Sequence, residues 1–351
     1  SDVCSSISYG QSSMLSGIIA AGLVYVIVAL IIKLIGIKWL DRMLPPVVVA
    51  SVVIVIGLSL ASGAINWSGL NSTFTDPGLK GVARVTWIFI SMTTLGVAIV
   101  GTMYFKGFFG VVPILIAMVV GYILSILLGV IPHEVLKEIS SAKLIRLPSF
   151  VLPTFNINAI MLMAPIAFVT LAEHIGHVYV TSNVCGRDFT KDPGLHRSIL
   201  GDGIATMFAG FVGGPPNTTY GENIGVMAIT KVYSVWVIGG AAIIAIVLSF
   251  IGPVSVVIGN IPLPVIGGVS VMLFGIIASS GFRIFVEDKV DFSKKRNLII
   301  SSVIIVLGVG GGGINFHLAG AQVQIAGVAL ATLVGIVLNL VLPQTSKSGE
   351  N

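Results

Sequence analysis

Residues 213–231 read GGPPNTTYGENIGVMAITK, and they break an otherwise apolar region with glycines, paired prolines and an acid. Proline pushes the residue before it out of the helical region and threonine is β-branched, so Pro215, Pro216, Thr218 and Thr219 favour an extended stretch. The residues from about Gly221 onward suit a short helix. A half-length helix that starts inside a hydrophobic layer leaves its first backbone N–H groups unpaired and aims the positive end of its dipole inward. Extended backbone at that depth is tolerated only where protein encloses it or it lines a cavity, so this stretch is expected to face a ligand.

The surrounding chain supplies the hydrophobic layer. Only 9% of its residues are charged and 55% are hydrophobic, against about a quarter charged in soluble domains. The mean hydropathy of +1.05 agrees. Each crossing of a roughly 30 Å hydrocarbon core takes about 20 apolar residues, so on the order of ten spans fit in 351 residues. Apolar stretches between polar or Pro/Gly punctuation fall at 14–36, 43–63, 85–105, 109–131, 157–181, 199–214, 216–230, 233–252, 262–282, 297–313 and 324–343. The expected fold is an all-α polytopic membrane protein, one helical bundle in a lipid bilayer with no soluble domain. Cys4 and Cys185 have no CxxC spacing, so neither a disulfide framework nor a thiolate metal site is expected, and no cofactor is implied. The chain opens SDVCSSISYG, with no initiator Met and no signal-peptide pattern, and reads as a fragment whose start has been lost.

The net charge of +5 reads as topology rather than as a nucleic-acid surface. With a cytoplasmic C-terminus, the inner loops collect Lys33, Lys38, Arg42, Lys106, Arg187, Lys191, Arg197, Lys231, Arg283, Lys289, Lys294, Lys295, Arg296 and Lys347, which is 14 of the 19 basic residues. The rest, Lys80, Arg84, Lys137, Lys143 and Arg146, sit in the two longest loops, where the positive-inside bias is weakest. The second and ninth spans also match at a constant offset of 218 residues: Pro46 with Pro264, Val47 with Val265, Gly57 with Gly275, Ser62 with Ser280, Gly63 with Gly281. By the charge count they cross in opposite directions. A weak repeat of that kind marks an inverted-topology transporter, with its substrate site at mid-membrane beside discontinuous helices. A chance match of two Pro- and Gly-bearing helices is the bland alternative.

Of the 14 acidic residues, only Glu173, Asp202 and Glu222 lie inside apolar segments. A carboxylate there costs several kcal/mol unless it is protonated, paired or hydrated, so each is a functional candidate. The competing reading, a protonated acid bridging two helices, weighs most for Asp202, which lies near a helix end. Glu173 begins the run Glu-His-Ile-Gly-His, whose i,i+4 spacing stacks Glu173 and His177 one turn apart as a proton relay. His174 points about 100° away and reads as a helix-packing residue. Two carboxylates accept N–H bonds, the backbone N–H of Gly221 or Glu222 donates to a carbonyl, and the Tyr220 ring makes an apolar wall. A small, flat, neutral molecule with alternating N–H and C=O groups fits that set, as pyrimidine and oxopurine bases do.

The run from Glu222 through Asn223, Gly225 and Thr230 to Lys231 matches the signature of the nucleobase-ascorbate transporters, or nucleobase:cation symporter-2 family. Asn217 through Ala228, with Ala172 through His177, resembles its uracil-permease branch. The resemblance runs along essentially the whole chain. It implies fourteen spans in two inverted seven-span repeats, divided into core and gate domains. On that plan 1–36 and 157–252 belong to the core, 37–131 and 262–343 to the gate, and 344–351 is a cytoplasmic tail. It implies import of uracil with a proton across the inner or plasma membrane, by a symporter and not an enzyme, and it leaves oligomeric state open, a homodimer included. The family's binding acids fall on Glu173 and Glu222, its coupling histidine on His177, and its backbone donor and ring wall on Gly221 and Tyr220. Asn223 and Asp202 are secondary candidates, Asp202 matching a position often acidic in the purine branch. Phe274 stands where a tyrosine is expected, so a ninth-span hydroxyl contact is absent, and the missing third span is expected to carry a second extended strand.

Glu rather than Gln at the head of the signature favours uracil over xanthine or urate, and a purine symporter on the same fold is the alternative. Two site carboxylates oppose a sulfate-type anion. Glu173, His174 and His177 have neither the HExxH nor the HxxEH spacing of a zinc enzyme, which leaves a membrane metalloenzyme as a remote reading.

Overall fold

A computed structural model of the chain describes residues 10–71, 83–147, 150–164, 166–318 and 321–343. The expected core start at 1–9, the tail at 344–351 and the loop residue Lys80 lie outside the described residues. The described residues are mostly helical, and all eleven apolar stretches contain helix. Among the described residues, five helices are long and apolar enough to cross a membrane: Ser12–Ile35, Pro46–Trp67, Arg84–Tyr104, Ala159–Cys185 and Leu263–Glu287. Pro113–Leu127, Val235–Ser249 and Gly327–Val341 are shorter apolar helices.

The chain divides into two compact units, and passes between them within the helices Gly221–Thr230 and Leu263–Glu287. The first unit holds Ser1–Ser59, Phe150–Ile224 and Ile277–Asn351. Its centre is the helix Pro46–Ser59, whose residues 47–55 are all buried. A helix apolar on every side belongs inside a bundle, and this one packs against Lys295–Val309, Gly327–Val341 and Ile166–Cys185. At its end Arg296 donates to the Asn339 carbonyl and side-chain oxygens, and Asn339 Nδ2 donates to the Arg42 carbonyl, which ties three helix ends together. Gln11–Ile35 lies against Leu195–Val212 at glycine contacts. A Cβ on Gly22 would sit 2.7 Å from the Gly203 carbonyl, and one on Gly203 2.7 Å from Tyr25 Cβ. Helices in lipid approach through small residues because packing, rather than water exclusion, drives their association.

The unit also contains a two-stranded antiparallel pair, Gly313–Leu318 with Ala321–Ala326, in register from Gly313 opposite Ala326 to Leu318 opposite Ala321. The pair departs from the expected all-α fold, and most of its residues fall in the connector between the stretches that end at 313 and begin at 324. Their alternation was the available signal: Ile314, Phe316 and Leu318 alternate with Asn315 and His317, and Gln322 and Gln324 with Val323 and Ile325.

Beyond the helix Ile166–Cys185 the loop neutralises itself, with Arg187 paired to Asp192 and Lys191 to Asp188 at 3.0 Å. The Thr190 hydroxyl, then Lys191, hold the exposed Asp188 carboxyl down at about 2.

The second unit, Leu60–Ser149 with Gly225–Ile276, pairs Arg84–Tyr104 with Pro113–Leu127. The amphipathic helix His133–Ser141 rests on Gly252–Gly259. Val235–Ser249 has no buried residue and presents Val235, Trp236, Ile243 and Ile244 outward, a surface that hydrocarbon solvates and water does not.

Candidate functional site

The expected break is present. Leu195–Val212 ends at Gly213 in the left-handed conformation, residues 214–220 have no regular structure, and Gly221–Thr230 is a helix of ten residues. The extended residues cannot pair their backbone groups along a helix, and side chains of two neighbouring helices hold them. Thr206 Oγ1 accepts the Asn217 N–H at 3.3 Å. Thr218 donates to Glu173 Oε2 at 3.4 Å. Thr219 Oγ1 lies 2.8 Å from His174 Nδ1.

Glu173, His174 and His177 share the helix Ile166–Cys185, as their spacing predicts. Glu173 and His177 are half-buried one turn apart on one face. His177 Nε2 stands beside the start of the half-helix, where a Cβ on Gly221 would come within 2.9 Å of it. Only glycine keeps that approach open. Tyr220 is 61% exposed, and Asn223 is exposed too. The backbone of Glu222 lies in the first turn of the half-helix, and its side chain is outside the described residues. Phe274 lies in Leu263–Glu287, within the second unit.

His174 departs from expectation. It is buried, at 4% exposure, but its ring is fully engaged: Nδ1 with Thr219, and Nε2 with Ser198 Oγ at 2.7 Å. Asp202 Oδ2 lies 3.3 Å from the same Nδ1, near enough for charge pairing. That oxygen has no aligned hydrogen bond among the described residues, because Nδ1 is directed at Thr219. Sequence reasoning missed this network, although Ser198, Asp202 and Thr206 recur every four residues on one helix and form a polar stripe in an apolar segment. Among the described residues no group of three or more His, Cys, Asp or Glu is placed to hold a metal ion.

The site is thus two carboxylate-bearing helices and a broken third, joined by hydroxyls, with no Lys or Arg among the named groups. Residues 3–314 match the model of a family described as "Permease family". The chain belongs to this family. It is 46% identical to the uracil permease of Bacillus subtilis (strain 168), over 96% of this chain and 77% of that protein. Against the uracil permease of Escherichia coli (strain K12) it is again 46% identical, over 95% of this chain and 75% of the relative. A putative pyrimidine permease of the same organism, RutG, is 39% identical over 94% of this chain and 72% of its own length. A permease moves its ligand and does not convert it, so the metalloenzyme reading is set aside, and the apolar helices are those of an integral membrane transporter.

Proposed function

We propose that the chain carries uracil into the cell together with a proton, as a secondary active symporter of the inner or plasma membrane. One observation carries the reading: the helix bearing Glu173 and His177 meets the broken helix at Thr218 and Gly221. In this reading Glu173 and Glu222 accept the two ring N–H groups, a backbone N–H at Gly221 or Glu222 donates to a ring carbonyl, and Tyr220 supplies the wall. Phe274 is a candidate by resemblance alone, and Asn223 and Asp202 are secondary candidates. The names of the relatives support a pyrimidine over a purine.

Coupling follows from Glu173. A half-buried carboxylate with an imidazole one turn away takes up a proton or releases it according to what fills the site. Glu and His titrate, which supports a proton over sodium as the coupled ion. The inverted repeat, the core at 1–36 and 157–252, the gate at 37–131 and 262–343, and the cytoplasmic C-terminus belong to the same reading, supported by the 218-residue offset and the Lys/Arg distribution.

The test is uptake of labelled uracil by cells expressing the full-length protein, with and without a protonophore and with unlabelled competitors. Uptake that the protonophore abolishes, and that uracil but not xanthine or urate competes, is the expected result. Competition by xanthine or urate alone would move the substrate to the purines, and protonophore-insensitive, sodium-dependent uptake would move the coupling ion.

A further inference from the structure

The transport chemistry above leaves the His174 network without a task. Asn217, Thr218 and Thr219 are held from two helices, by Thr206, Glu173 and His174, and the chain then runs directly into Tyr220 and Gly221. We propose that His174, oriented by Asp202, is a positioning residue that clamps residues 217–219 and thereby sets where Tyr220 and the Gly221 N–H meet the ligand.

A neutral imidazole has one donor and one acceptor. The Asp202 carboxylate beside Nδ1 favours the tautomer protonated there, so Nδ1–H donates to Thr219 and Nε2 accepts the Ser198 hydroxyl. One ring therefore joins the extended stretch to Leu195–Val212 while it is itself fixed on Ile166–Cys185. Ser198 and Asp202 lie one turn apart and reach the ring together. Removing the imidazole strands Thr219 and Ser198 at once and takes away the ring beside Asp202, and residues 215–220 lie in no helix or strand that would replace it.

The inference rests on the uracil reading only for its affinity measurement. Two quantities are read on the full-length protein: uracil affinity by equilibrium binding, and hydrogen exchange of the 217–221 amides without ligand. His174→Leu and Thr219→Val should each weaken affinity about tenfold, and the double variant should match the worse single one, since both remove the same bond. His174→Asn still offers a polar atom near the Nδ1 position and should stay within about threefold of the parent. Exchange should quicken in His174→Leu and Thr219→Val and not in His174→Asn. Additive losses in the double variant, or equal losses in His174→Asn and His174→Leu, overturn the clamp and make His174 a packing residue. Parental exchange in Thr219→Val overturns it too, even if His174→Leu fails to fold. A parent that binds no uracil yet shows the expected exchange pattern removes the substrate reading and keeps the clamp.

Discussion

Two stretches of the same compact unit, Pro46–Ser59 and 214–220, are held in place by opposite means. The first is a continuous helix, in which the hydroxyls of Ser51 and Ser59 return to its own Val47 and Ile56 carbonyls. Its valines and isoleucines are left to fill the bundle. The second has prolines and threonines in place of helical bonds, and it borrows Thr206, Glu173 and His174 from its neighbours. The contrast separates what holds the protein together from what it works with. Dense apolar packing tolerates no ligand, and unpaired polar backbone in a membrane has no reason to persist without one.

The packing side of the comparison breaks most visibly at Ile54, which is fully buried. Ile54→Ala should cost about 2–5 kcal/mol of stability through the cavity it leaves, while leaving uracil affinity near the parental value in whatever protein stays folded. Thermal unfolding in detergent alongside binding checks both halves, and lost affinity without lost stability would erase the distinction.

On the site side the largest effect is expected at Glu173. Glu173→Ala strands the Thr218 hydroxyl and removes an acceptor for a ligand N–H, lowering uracil affinity about thirtyfold to a hundredfold at little cost in stability. Gly221→Val should follow, with a loss of about tenfold or more and no hydrogen-bonding side chain removed, because its Cβ meets His177 Nε2. Unchanged affinity there would place Gly221 away from the ligand.

His177→Leu sharpens the comparison within the site. It should retain uracil binding, flatten the dependence of affinity on pH between about 5 and 8, and weaken accumulation under an imposed proton gradient. A parental pH profile with full accumulation would leave His177 as a packing residue. The smallest effect is expected at Phe274→Tyr, where one added hydroxyl changes affinity by at most about tenfold. Complete loss of transport would mean that the helix packs too tightly there for the family alignment.

Much of this was legible beforehand because membranes simplify the code. A helix must satisfy its own backbone in lipid, so long apolar runs became helices, and the Gly213 to Pro216 interruption became a break. Glu173 and His177 were readable as a pair because helical spacing fixes which residues stack. The strand pair at Gly313–Leu318 and Ala321–Ala326 was missed because its alternation is short and flanked by stronger helical runs.

Sequence alone determined the membrane setting, the helical segments, the broken helix and the i,i+4 stacking of Glu173 and His177, since each depends on neighbours within one turn or one span. Only the tertiary structure decided that His174 faces Thr219, Ser198 and Asp202 and not an apolar wall. Its direction on the helix was known from the 100° step, but what waits in that direction is set by another helix and an extended strand. Local periodicity gives a side chain its bearing, and only packing supplies the partner.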